Sequence, residues 1–258
     1  MPSSRSGHHG DVAYVFEDNG FDTDPTDTTF KAFGSDATLD TFDGSHEAVR
    51  VFNAERTAAD IIAQVFDGAW SVTHKVSTPL WYLAGIFGQP SSTNVAGNLY
   101  EHDYSLANDA DPVPLRLYLP TDGFNEYEVV PGCVIASVDV DQSVPGEPEV
   151  TVSGAYAREP FSSSDLSPAA PALSQTTFSN RDAEVKIDGT TVGRSQTTTV
   201  NLNSNAEMVN EIGSGNAVDF TTRAFEPEWS HDKIVFVGQS VDQLQRFRDA
   251  NQVTGILR

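Results

Sequence analysis

Alternation of apolar and polar residues governs the chain downstream of residue 99 and predicts β-strands there. Leu115, Leu117 and Leu119 alternate with Arg116 and Tyr118, Asp122 and Gly123 mark a turn, and Tyr127 and Val129 begin a return strand. Val134, Ala136, Val138 and Val140 share a face opposite Ser137, Asp139 and Asp141. After Pro145 and Gly146, Val150, Val152 and Tyr156 stand opposite Glu149, Thr151 and Ser153. Both strands have a dry side and a wet side. Val185 and Ile187 lead through Asp188 and Gly189 to Val192, a hairpin signal. Val200 and Leu202 predict another strand, and Phe220 to Phe225 a further one.

The upstream part is mixed. Ala48 to Phe52 reads as a strand, and Thr57-Ala58-Ala59-Asp60 offers a capping start for a short helix carrying Ile61, Ile62, Val65 and Phe66. Trp70, Val72, His74 and Val76 alternate with Ala69, Ser71, Thr73 and Lys75, a half-buried strand. Thr78 as cap, Pro79 at the first position and Gly88 past the end frame a helix over residues 80 to 87. That helix is apolar nearly all round, which requires burial on more than one side. Residues 17 to 45 are polar, acidic and broken by Gly20, Pro25, Gly34 and Gly44. They read as an extended arm whose Phe21, Phe30, Phe33, Leu39 and Phe42 are anchors, either for another surface or for the chain's own domain. A Ser/Pro/Ala-rich loop runs from Phe161 to Leu173, and Ser240 with Gln243 caps a final helix carrying Val241, Leu244 and Phe247. The fold class is α+β, mainly β: a β-sandwich or open barrel with a flanking helix and extended arms. It divides into an N-terminal arm (1–45), a β domain (46–230, with loop 159–181 as an insertion) and a helical C-terminal tail (231–258).

Charge narrows the function. The 258 residues carry a formal net charge of -22, which argues against a protein that reads nucleic acid through a basic field. Asp outnumbers Glu by 23 to 14 and Arg outnumbers Lys by 11 to 4, a bias that suits solubility in molar salt. The Debye length there is about 3 Å, so repulsion between carboxylates is screened while their hydration persists. This points to a salt-adapted cytoplasm such as a haloarchaeon's. The single cysteine, Cys133, allows neither an internal disulfide nor a multi-cysteine metal site. The first ten residues lack the apolar core of a signal peptide, predicting folding without export, and the longest apolar run, Leu80 to Phe87, is far below the ~20 residues of a membrane helix.

Candidate chemistry is sparse. Neither a phosphate-binding glycine loop with its lysine, a nucleophile elbow, a zinc helix motif nor a calcium loop is present. Gly213-Ser214-Gly215-Asn216 lacks the lysine. Glu101, His102 and Asp103 are three potential ligands in a row, but strand neighbours point to opposite faces. His74 reads as a satisfied core histidine, Cys133 as packing, and Asp139, Asp141 and Glu149 as a charged wet face. No catalytic, cofactor or metal residue is assigned, and the chain is read as a non-enzyme. Long strands with open edges would aggregate unless paired with another chain, and a closed ring of subunits removes such edges.

The order of elements resembles the major tail tube proteins of tailed viruses, and the acid bias points to a virus of haloarchaea. The resemblance is carried by Phe30-Lys31-Ala32-Phe33-Gly34, Trp70-Ser71-Val72-Thr73, Ala84-Gly85-Ile86-Phe87-Gly88, and Gly132 to Val138 leading into Val150-Thr151-Val152-Ser153-Gly154. It spans residues 12 to 158. It implies a β-sandwich with a flanking helix that assembles with itself into sixfold (homohexameric) or trimeric rings. Those rings stack into a siphovirus-like tail tube, contact other tail proteins and let viral DNA pass during ejection, without cofactors or a membrane. Localisation would be the virion tail, with assembly in the host cytoplasm. Ser137, Asp139, Asp141, Glu149, Thr151 and Ser153 would then face the lumen, and Phe21, Phe30 and Phe33 would anchor the arm on a neighbouring ring. The alternatives are a tail terminator or other tail ring protein, an acidic β-sandwich surface adhesin, and a metal hydrolase around His102.

Overall fold

The computed structural model describes residues 12–257 except 27–28, 53–57, 78–79, 98, 106–111, 121–126, 144–145, 164–184, 188–189, 192, 195–196, 212–213, 233–234 and 237–254. Strands make up most of it. In chain order they begin with β1 (Ala13–Phe16), β2 (Lys31–Ala32), β3 (Ser35–Phe52) and β4 (Ala58–Lys75). A 3-10 turn at Trp81–Leu83 runs into the short helix α1 (Ala84–Phe87), followed by the hairpin β5 (Ser91–Ala96) and β6 (Leu99–Asp103). Then come β7 (Leu115–Pro120), β8 (Tyr127–Ser143), β9 (Glu149–Tyr156), β10 (Phe161–Ser163), β11 (Val185–Ile187), β12 (Thr190–Thr191) and β13 (Gly193–Arg194). The last are β14 (Thr197–Asn203), β15 (Glu207–Asn210), β16 (Ala217–Thr221), β17 (Glu226–Asp232), β18 (Val235–Phe236) and β19 (Gly255–Leu257).

The long strand β8 belongs to two layers. Its first half pairs with β7 and β10 in a layer ordered β2-β1-β7-β8-β10, and its second half pairs with β9 and β14 in a layer ordered β3-β4-β9-β8-β14-β17. The change occurs at Gly132, whose φ of 61° lies in the left-handed region that favours glycine. All pairings are antiparallel. The inner faces of the two layers share one core: Tyr14, Leu115, Leu117 and Leu119 from the first meet Trp70, Val72, Val138, Val150 and Val152 from the second. Each such side chain contributes roughly 1.5–3 kcal/mol by leaving water. Tyr82, Ala84 and Ile86 close the core, while Leu80, Trp81, Leu83 and Phe87 pack on its margin. The helix is therefore buried on several sides, as its apolar circumference requires. It ends at Gly88, φ 77°, whose N–H donates to the Ala84 carbonyl at 3.0 Å.

Three expectations are corrected. Over its described residues, 58 to 66, the expected short helix is the first part of β4, antiparallel to β3 from Phe52↔Ala58 onward, and its cap Thr57 lies outside the described residues. Its Ile-rich run satisfies a strand as readily as a helix, and pairing with an 18-residue neighbour decides the outcome. The predicted arm (1–45) is not separate over its described part. Val12 to Phe16 are buried, β1 lies between β2 and β7, and β3 starts at Ser35. Phe220 to Phe225 is a strand only to Thr221, in a hairpin with β15. The final helix and most of the 159–181 loop fall outside the described residues; within the tail, β18 pairs with β13 and β19 with β11.

Candidate functional site

The wet face of the six-stranded layer is assembled row by row through register. Thr41, Ser71, Ser153, Ser137, Asn203 and Glu226 form one row across β3, β4, β9, β8, β14 and β17. Thr38, Thr73, Thr151, Asp139, Asn201 and Glu228 form the next, and Ser35, Lys75, Glu149, Asp141, Thr199 and Ser230 a third. All six expected face residues are thus together, two per row on adjacent strands: Ser137 with Ser153, Asp139 with Thr151, Asp141 with Glu149.

Short side chains tie the rows crosswise. Thr73 and Thr151 hydroxyls meet at 2.8 Å, as do those of Ser137 and Ser153. Asn201 donates through Nδ2 to Asp139, and Thr199 shares a hydrogen bond with Ser230. Such hydroxyl and amide pairs keep the face hydrated yet internally ordered. Asp141, Glu149, Glu226 and Glu228 are exposed. Lys75 is the only cation among the described residues of these rows, and Glu147 and Asp36 each hold its Nζ at 2.9 Å. Those hydrogen bonds, Glu147 first, push the ammonium above its ordinary range. The face presents carboxylates and neutral polar groups, with its one positive charge already engaged.

The proposed anchors behave differently. Phe33 is fully buried in the subunit's own core, near the rings of Tyr14, Trp70, His74 and Tyr82, so it is not an inter-ring contact. Phe30 packs edge-on to Tyr118 at 4.7 Å, and Phe21 lies 5.5 Å from Phe220. Phe30 covers the outer side of the β1–β7 layer, where Ala13, Val15, Tyr118 and Val129 form a second buried apolar cluster, and with residues 17 to 26, whose Asp22 and Asp24 reach Glu17 and Arg116, it makes up a strap.

A buried polar cluster under the strap was not foreseen. Glu17 Oε1 accepts from Arg116 Nε at 3.0 Å and from the Gly132 N–H at 3.1 Å, while its Oε2 accepts from the Asp22 N–H at 2.8 Å. Arg116 Nη1 also donates to Asp24 at 2.6 Å, and Arg158 Nε holds Asp22. Burial pushes the Glu17 carboxyl up to about 7, against the pull of Gly132 and Arg116. Ninety-nine positions separate Glu17 from Arg116, so no local spacing announces the pair.

The remaining candidates are structural. His74 is buried, with Nε2 3.0 Å from the Tyr82 hydroxyl and Nδ1 3.2 Å from the Lys75 carbonyl oxygen, and burial lowers its pKa to about 4. A histidine depressed in the folded state binds its proton first in the unfolded chain, so stability is lost as pH falls from about 6.5 to 4, by roughly 3 kcal/mol. His74→Gln keeps a hydrogen-bonding partner for Tyr82 without titrating. Urea unfolding of this variant is expected to show a flatter acid limb over that window, and an unchanged limb would place the proton uptake elsewhere. Cys133 is buried, its thiol pushed up by burial, and it donates to the Val130 carbonyl at 3.3 Å. The Gly215 carbonyl accepts from the Phe66 N–H at 2.9 Å, so the glycine loop clamps β4. His102 packs on Trp81 at 4.4 Å, and the described residues contain no group of three or more His, Cys, Asp or Glu placed to hold a metal.

No curated protein matches the chain. A family model described as phage tail tube protein matches residues 7–234, which takes in both layers of the sandwich and the whole hydrated face from β3 to β17. With that span matched, the chain belongs to the phage tail tube protein family and is a structural component of the virion tail.

Proposed function

We propose that copies of this chain close into homohexameric rings that stack into a tube, with the wet face of the six-stranded layer turned toward a lumen through which viral DNA passes. The observation that carries this reading is the layer itself. It is polar across its whole width, and no strand pairs with the outer side of β3 or of β17 among the described residues. Two open edges on one sheet are an aggregation hazard in a monomer, and pairing the β3 edge of one copy with the β17 edge of the next removes both. Ser137, Asp139, Asp141, Glu149, Thr151 and Ser153 then line the channel. A hydroxyl and carboxylate lining gives phosphates no ion pair, so DNA does not stick.

The bias toward Asp and against Lys supports a virus of haloarchaea with a siphovirus-type tail, assembled in the host cytoplasm. In molar salt the lining acts only at contact, as a non-adhesive wall, because fields are screened within about 3 Å. Negative-stain microscopy of the purified protein in high salt is expected to show hollow tubes. Growth that stops at single rings would indicate a tail terminator instead. The double variant Asp139→Lys/Asp141→Lys is expected to build tubes of normal diameter that deliver genome severalfold more slowly. Unchanged delivery by such tubes would remove these residues from the channel.

A further inference from the structure

We infer that the β5–β6 hairpin is a docking element for a second copy of this chain, an inference that rests on the self-assembly proposed above. Among the described residues β5 and β6 pair only with each other, and a two-stranded hairpin alone is marginally stable in water. This one is nonetheless built. Asn94 Nδ2 donates to the Gly97 carbonyl at 2.8 Å across the turn, and Gly97 sits at φ 57°. At the base, Ser92 Oγ meets His102 Nδ1 at 2.8 Å and the His102 ring packs against Trp81. The base is fastened to the helical turn while the tip stands in solvent. Every residue of β5 is exposed, and Val95 and Tyr100 are the most exposed large hydrophobics among the described residues, at 56% and 54%.

Charge selects the occupant. From Val76 to Tyr100 no residue is charged, the longest such run in a chain of net charge -22. Two copies repel wherever carboxylates face each other, and interface cores are depleted of charge for the same reason. Neutral β5, with Val95 near its tip and Tyr100 paired opposite its Asn94, is suited to a like-charged neighbour. It offers no cation to phosphate, and the exposed carboxylates of Glu101 and Asp103 on β6 leave the neutral β5 as the strand that a like-charged copy can approach. Among the described residues the outer edge of β5 is also unpaired, and a neighbour can cover it.

The test uses Thr93→Cys in the full chain. Cys133 is buried and is the only native cysteine, so a maleimide reads position 93 alone. Labelling is expected to slow at least tenfold when subunits polymerise. A second variant, Val95→Asp/Tyr100→Asp, is expected to retain far-UV circular dichroism and the monomer's unfolding midpoint while losing assembly. If tubes form with Thr93→Cys as reactive as in the monomer, or if the double variant polymerises normally, the inference fails while the tube reading stands. If the unmodified protein never polymerises, both fail.

Discussion

Replacing Arg116 with methionine is expected to destabilise the subunit by about 3–5 kcal/mol at pH 8, a large share of the ~5–15 kcal/mol that holds a typical domain together. The side chains of Arg116 and Glu17 are 3% and 0% exposed, so removing the guanidinium strands a carboxylate that water cannot reach. Asp24 also loses a partner, but at 94% exposure it is resolvated at little cost. The effect carries a pH signature. A buried acid whose folded pKa lies above its unfolded value takes stability away as pH rises through that interval, here from about 4.5 to 7. Without the cation the interval extends further upward, so the variant's deficit at pH 8 is expected to shrink markedly at pH 5, where Glu17 binds a proton. Urea unfolding at the two pH values checks this, and Arg116→Met/Glu17→Gln should recover part of the loss. An equal deficit at both values would mean that Arg116 acts by packing alone. Exposed Arg223, 2.6 Å from Glu207, is the contrast: its removal should cost less than about 1 kcal/mol.

Substituting Gly154 with alanine is expected to be as damaging, by a different route. A Cβ built there stands 1.8 Å from the Val134 carbonyl oxygen and 3.2 Å from Ile135 Cα, so it meets backbone rather than a side chain that could turn aside. Gly154 pairs with Trp70 on one side and Ile135 on the other, next to the register shift between Ile135 and Ser137. Making room pries β9 from β8 in the middle of the layer and opens the core beside Trp70. A cost of about 4 kcal/mol or more follows, in the range reserved for overpacking that backbone cannot relieve. Ser153→Ala removes only the hydroxyl bond to Ser137 and should cost roughly 0.5–1.5 kcal/mol. Thermal unfolding of the two variants side by side reads the difference. Near-equal midpoints would show that β8 and β9 yield at Gly154.

The legible parts of the fold are those whose period is local. The β7–β8 and β8–β9 hairpins stand where alternation places them, except that the register shift between Ile135 and Ser137 brings Ile135, not Val134 and Ala136, into the core with Val138. The six expected wet-face residues, beyond that shift or on β9, share one face. What escaped is set by distant partners. Val12 to Phe16 form a continuous apolar run that signals a strand covered on both sides, yet what covers it, the strap with Phe30, lies beyond any local pattern. Phe33 has the same local setting as Phe30, and only the three-dimensional path carries one inward and leaves the other at the margin. The capping pattern near Thr57 is a helix signal that the β3–β4 pairing overrides. The Glu17 and Arg116 pair had no signal beyond one charge inside the apolar strand β7 and another directly after the apolar strand β1.

The passage of β8 from one layer to the other at Gly132 has a mechanical consequence. Where two sheets are held only by side-chain packing, a sideways load lets one slide over the other. Here a continuous peptide chain crosses between them, pinned at the crossing by Glu17, so a pull on the six-stranded layer is transmitted to the other layer through covalent bonds. A filament built from such units would flex at the joints between subunits while each unit kept its shape.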